Sequence, residues 1–409
     1  MMRRSALPFL LLLLLLAGCA PVRHYEAALV LQDIAAEQGA SCLKQATAAP
    51  VRKSIAYTVD GRERRGDLYL PEKVGAGPPQ TDAPPVGGNE PGLRARGANN
   101  IRAAIVAIPG AVPLGKDDPR LVAFAMTLAR AGFAVLAPDL AGFRQLAVRP
   151  TDAREIADAF AWISSRAELA PAGHAGMFAF SYAVGPAVLA ALEPDIRSKV
   201  RFVVGLGGYH DLPRAMRFFT TGWFAHDGQW QRMTPDDTGK MVLLYASLPY
   251  LENDSDRGIF DRMVTLRMRD PAADLSPLAA DLSRGAQAVY ALAANTDPAR
   301  FAELLAQLPA AMRADMERLN LARHDLKPLQ ARLILLHGRN DNLIPWPESL
   351  ALAAAAPAGQ AEVFLIQRVL GHVDLKFSNL FSWRFWSEDL PDLWRLWRVI
   401  DLLLAERAG

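Results

Sequence analysis

Three residues far apart in the 409-residue chain carry the side chains that nucleophilic attack on a carbonyl needs. Ser181 stands in FAFSYAVGP, residues 178–186, between an apolar strand-like run and a helix-like run. Asp341 follows LILLHGRN, and His372 follows FLIQRVLG. A serine hydroxyl is a poor nucleophile near neutral pH until a histidine takes its proton, and that imidazole needs a carboxylate to fix its tautomer and stabilise its charge. Taken singly, each has an ordinary reading: a serine at a strand end, an aspartate shaping a turn, one imidazole among seven histidines. Together they come in the order nucleophile, acid, base, each just after an apolar run. Asp211, in GGYHDL, is the alternative acid. His337, His174 and Asp374 are weaker candidates, and Asp139, in APDLAGF, reads as a loop organiser.

The elements that must hold these residues follow from hydrophobic periodicity. From Ile101 onward, short apolar runs (AAIVAI, FAVLAP, GMFAF, VRFVVGL) alternate with amphipathic stretches of helical period (PRLVAFAMTLAR, TDAREIADAFAWIS with Thr151 opening it, YAVGPAVLAALE). Strands without polar positions, separated by helices, imply an α/β fold whose mostly parallel sheet is covered on both faces. In such a sheet ligands meet the carboxyl ends of the strands, where Ser181, Asp341, His372 and the Pro109-Gly110-Ala111 turn all fall. The alternation stops over 209–330, which reads as helical throughout, and resumes with ARLILLHG and AEVFLIQRV; the inserted stretch is therefore a helical cap within one continuing domain. The sheet-forming core is expected over 51–208 and 331–409, opening with a hairpin around Asp60-Gly61 and interrupted by a Gly/Pro-rich loop over 74–100. Residues 19–50 hold an amphipathic helix, Ala27 to about Ala46.

The order of the triad and the helical insertion before the acid resemble the α/β-hydrolase superfamily, most closely at LLHGRNDNLIPWPES and LGHVDL. That resemblance implies a nucleophile elbow at Ser181 and an oxyanion hole made by the backbone N–H of Tyr182 with that of Ala111 or Val112. It implies a hydrolase of esters or thioesters working through an acyl-enzyme. The elbow departs from G-x-S-x-G, because Ala179 and Ala183 stand where glycines are usual; Gly185 offers room one turn later, and Pro186 confines the helix start to Tyr182 or Ala183. This departure keeps open a non-catalytic relative that binds lipid or a partner, and an acyltransferase would use the same triad. Aromatic residues early in the cap (Phe218, Phe219, Trp223, Phe224, Trp230) favour an apolar acyl group.

The N-terminus adds an address. Residues 1–18 place Arg3 and Arg4 before an apolar run too short to span a bilayer, which reads as a signal peptide. The run closes on Leu16-Ala17-Gly18-Cys19, which resembles the lipobox of bacterial lipoproteins and implies acylation of Cys19. Ala20, in place of Asp, points to the outer membrane, facing the periplasm. Cys42, the only other cysteine, is expected to be a small packed residue, with no disulfide. Four of the eight tryptophans (383, 386, 394, 397) lie near the C-terminus; they read as packing of the last helix, a membrane-facing patch being the alternative. A net charge of +2 with dispersed basic residues excludes a nucleic-acid role. No metal-ligand cluster or phosphate-cradling loop is present in the sequence, so no cofactor is implied.

Overall fold

The alternating pattern resolves into a mostly parallel sheet in the computed structural model, which describes residues 21–72, 101–147, 149–270, 272–373, 375 and 382–408. The signal segment with Cys19, the 74–100 stretch and Asp374 lie outside the described residues. The strands in chain order are β1 (Val51–Val59), β2 (Arg62–Leu70), β3 (Ala103–Ile108), β4 (Phe133–Pro138), β5 (Ala175–Phe180), β6 (Val200–Leu206), β7 (Trp223–His226), β8 (Gln229–Arg232), β9 (Arg332–Gly338) and β10 (Ala361–Ile366). Eight of them form one sheet in the order β1-β2-β4-β3-β5-β6-β9-β10. The β1–β2 and β2–β4 pairs are antiparallel, and every later pair is parallel.

β3 shows why these strands spare no polar position. Ala104, Val106 and Ile108 pack with Ile156, Phe160 and Val188 on one face. Ala103, Ile105 and Ala107 pack with Val30, Leu128 and Leu403 on the other. Successive side chains point to opposite faces, so a strand covered by helices on both sides must be apolar at every residue. The last helix, Leu390–Ala405, buries Leu393, Trp397, Ile400 and Leu404 as one face. No helix among the described residues is long and apolar enough to cross a membrane.

Three expectations need correction. The N-terminal helix ends at Ala36; Glu37 takes φ of 48° and Ser41 caps a separate short helix, Cys42–Ala46, so one helix does not run to Ala46. Cys42 is exposed, because the buried residue of that short helix is Leu43. The cap is not helical throughout: β7 and β8 form a separate hairpin over Asp227-Gly228, both at positive φ, the backbone that a two-residue turn demands.

Between β6 and β9 the cap otherwise folds as helices around their own apolar cluster, which includes Phe260, Met263, Val289, Leu292 and Leu304. A core of this kind lets the insertion hold its shape while resting on the strand ends.

Candidate functional site

β5 delivers Ser181 to the carboxyl edge of the sheet. The strand ends at Phe180, a helical turn begins at Ser181, and the α-helix Val184–Leu192 follows directly. Ser181 takes φ of 54°, a left-handed backbone that few residues other than glycine adopt and that is held only when the surroundings impose it. Ala179 and Ala183 are fully buried in this turn. Gly185 meets the crowding one turn on, since a methyl there would come within 2.2 Å of the Tyr209 hydroxyl oxygen. Pro186 is the third residue of the α-helix, in the first turn where proline is tolerated.

The loop after β9 and the loop after β10 bring the other two residues to the serine. His372 Nε2 lies 2.7 Å from Ser181 Oγ, and His372 Nδ1 lies 2.7 Å from Asp341 Oδ2. With a carboxylate on Nδ1, that nitrogen carries the hydrogen and Nε2 is left to accept from the serine hydroxyl. Asp341 is fully buried and has four donors. Its Oδ1 accepts the N–H groups of Leu343 at 2.8 Å and Ile344 at 2.9 Å. Its Oδ2 faces His372 and, at 3.2 Å, His337 Nε2. Burial alone would push this carboxyl up, but the charge and hydrogen bond of His372 and the hydrogen bond from His337 outweigh it and hold the group far below the usual carboxylate range.

His337, ranked low from the sequence because it sits inside a strand, is thus part of the acid's support. Its Nε2 also lies 2.9 Å from the carbonyl of Ile344, so that nitrogen is the donor, and Nδ1 accepts from the Ser349 hydroxyl at 2.7 Å. Gly207 is a second residue that sequence reasoning missed. It takes φ of 62°, and a methyl on it would lie 3.1 Å from Asp341 Oδ2 and 3.4 Å from His372 Cε1. The GLGG run was legible, but nothing in it says which residues its backbone approaches.

Asp211 does not reach His372. It caps the helix Leu212–Thr221, accepting the N–H of Arg214 at 3.1 Å, so among the described residues the carboxylate on His372 is that of Asp341. Asp139 faces Arg144 at 3.2 Å, and His174 precedes β5 away from the triad. On the other side of Ser181, Tyr182 directs its hydroxyl to Asp152 Oδ2 at 3.4 Å; the N–H of Arg149 donates to the same oxygen at 2.9 Å. Asp152 Oδ1 has no partner among the described residues, and burial pushes the group up to about 7.

The Pro109–Val112 loop lies against the serine: a methyl on Gly110 would be 3.7 Å from Ser181 Cβ. Tyr182 is the second residue of its helical turn, so its N–H has no intrahelical acceptor. Ser181, Tyr182, His372, Ala111 and Val112 all line a cavity of about 820 Å³. Its far wall comes from the cap, with Met216, Phe219, Leu243, Met312 and Met316. Among the described residues no group of histidine, cysteine or carboxylate side chains could hold a metal ion.

No family model matches the chain, and no curated protein matches it. Solved structures do. A putative hydrolase from Legionella pneumophila is similar at 11% identity with a TM-score of 0.50, over 89% of this chain and 93% of that one. The 2,6-dihydroxy-pseudo-oxynicotine hydrolase is similar at 13% identity and TM-score 0.46, over 87% and 69%. The esterase domain of a Rhodothermus marinus protein is similar at 12% identity and TM-score 0.40, over 88% and 99%. At 11% identity the likeness to the Legionella pneumophila structure speaks for the fold alone; with the sheet order and the strand-to-helix turn at Ser181, it makes the chain an α/β-hydrolase fold with an inserted cap.

Proposed function

We propose that the chain is a serine hydrolase that cleaves an ester or thioester of an apolar acyl group, with Ser181 as nucleophile, His372 as general base and acid, and Asp341 as its orienting carboxylate. The observation that carries this reading is the continuous line Asp341–His372–Ser181, 2.7 Å at each step, opening into a cavity whose lining is mostly apolar. Ser181 Oγ attacks the carbonyl carbon while His372 Nε2 takes its proton, and the carbonyl π pair moves to oxygen. The N–H of Tyr182, with that of Ala111 or Val112, receives the resulting oxyanion; one such donor is worth about 3 kcal/mol in the transition state. On collapse, His372 returns the proton to the leaving alcohol or thiol, and water repeats the cycle to free the acid.

The cavity falls within the roughly 300–1,000 Å³ of small-molecule sites, and its methionine and leucine wall suits a flexible acyl chain. The Leu16-Ala17-Gly18-Cys19 segment supports a lipid anchor, and Ala20 an outer-membrane position facing the periplasm. A fluorophosphonate probe is expected to label the purified protein and to fail on Ser181→Ala. A series of p-nitrophenyl esters is expected to show kcat/KM rising with acyl length until the cavity is filled. Labelling that survives Ser181→Ala overturns the nucleophile, and absence of turnover across the series returns the non-catalytic reading. Alkyl ester formed in the presence of an alcohol identifies acyl transfer.

A further inference from the structure

Three of the four C-terminal tryptophans keep much of their surface exposed, where packing of the last helix was the expectation. Trp383 is 83% exposed, Trp386 53% and Trp394 42%, whereas Trp397 is buried. Together the exposed three offer about 350 Å² of ring surface, the size of patch that on soluble proteins marks a contact site. They lie on one side of the chain. In a plain α-helix the eight residues from Trp386 to Trp394 would leave them about 80° apart, but the π-helical turn Phe385–Asp389 absorbs one residue and reduces this to about 20°. From Trp383 to Trp394 the stripe runs roughly 16 Å at 1.5 Å per residue.

What the stripe adjoins identifies its occupant. Trp394 stacks on Trp397 at 4.7 Å, Trp397 meets His24 edge-on at 5.3 Å, and Trp397 Nε1 donates to the His24 carbonyl at 3.0 Å. The start of the N-terminal helix is therefore fixed beside the tryptophans, with Val22 (71% exposed) and Tyr25 (43% exposed) adding to the surface. Cys19 is two residues before Pro21, at most about 7 Å of chain. The chain thus leaves the described structure at the edge of the aromatic stripe, and the twenty residues beyond it are those of the proposed anchor.

We propose that the Trp383–Trp386–Trp394 face docks on the bilayer that holds the Cys19 lipid, with the indole rings at headgroup level. The orientation rests on the anchor proposed above. Surrounding charges are already paired, Arg384 with Glu388, Arg395 with Asp392 and Arg23 with Asp401, so insertion of aromatic rings rather than attraction to anionic lipid holds the face. Arg368, which lines the cavity, bonds Asp389 at 3.0 Å. Docking would therefore set the rim of the cavity next to the membrane, where an apolar acyl substrate is concentrated.

The test uses the full chain, made as a lipoprotein and reconstituted in phosphatidylcholine vesicles carrying a dibromo-acyl phospholipid, which quenches tryptophan on contact. Three of the eight tryptophans lie in the stripe, so about a third of the emission is expected to be lost, and the loss to vanish in Trp383→Ser/Trp386→Ser/Trp394→Ser. Fluorophosphonate labelling in detergent and the thermal melt are expected to match in the two proteins, which guards against misfolding. Equal quenching in both overturns the docking face. The acyl mass on the N-terminal peptide reports the anchor separately: a lipidated chain whose tryptophans are not quenched overturns the face and leaves the anchor standing. If Cys19 carries no lipid, the anchor falls, and the face stands only if the chain still floats with vesicles in a manner lost in the triple variant.

Discussion

Two buried carboxylates flank Ser181, and they end in opposite states. Asp341 stands behind His372 and Asp152 behind Tyr182, with exposures of 0% and 1%. Asp341 has donors on both oxygens and is held far below the carboxylate range; Asp152 has its two donors on a single oxygen, one of them at 3.4 Å, and is pushed up to about 7. Burial is shared, so burial does not decide which carboxyl is charged. The charge of the neighbour and the number and placement of donors do, and they separate a group able to stabilise an imidazolium from one that near neutral pH is half protonated.

The largest break in that comparison comes from Asp341→Asn. It removes the charge and exposes His372 to the wrong tautomer, so fluorophosphonate acylation of Ser181 is expected to slow by about 10⁴-fold, whereas Asp211→Asn leaves it unchanged. A slow Asp211 variant beside a fast Asp341 variant would reverse the assignment.

On the other side, Asp152→Asn acts on stability. A native pKa raised above the unfolded value means that the native state binds more protons between about pH 4 and 7, so wild-type stability falls over that window and is level above it. The asparagine variant lacks this loss. Its advantage in urea melts is expected to grow from pH 4.5 to 7, by at most about 4 kcal/mol, and then to stay constant. A difference independent of pH would mean that Asp152 is ionised throughout.

His337→Phe tests the donor count directly. Loss of one hydrogen bond to a buried charge corresponds to about 1.5–3 kcal/mol, so kcat is expected to drop by roughly ten- to a hundred-fold with KM little changed. Asp341, with one donor fewer, becomes a stronger partner for His372, and the acid limb of the pH–rate profile moves upward; His337→Gln, which retains an N–H, recovers part of the rate. A profile that keeps its shape would assign His337 to packing alone. The smallest effect belongs to Gly207→Ala, where the left-handed backbone and the 3.1 Å approach to Asp341 are expected to cost about 1–2 kcal/mol in the thermal melt.

The central strands β3, β4 and β5 were legible because each is apolar at every position, the mark of a sheet covered on both faces, and the order of Ser181, Asp341 and His372 at strand ends was legible with them. The β7–β8 hairpin was missed although Asp227-Gly228 is a turn signal, because the helical stripes around it dominated the reading. Cys42 and the exposed tryptophans were misplaced for one reason: residue type gives the tendency to be buried, not the face on which a residue falls. Trp386 and Trp394 depended on a single π-helical turn.

The amino-acid sequence by itself determined the alternation of strands and helices, the place of the cap and the order of the three candidate side chains at strand ends, since these are set by local periodicity and by chemistry intrinsic to the residues. Only the tertiary structure decided that His337 and Gly207 support Asp341, that Asp152 lies behind Tyr182, and that three tryptophans face outward beside the N-terminal helix. Gly207 meets Asp341, and His24 meets Trp397, across more than a hundred residues, and Asp152 meets Tyr182 across thirty; His337 lies only four residues before Asp341, but the turn that folds it back onto the carboxylate is set by the packing around it.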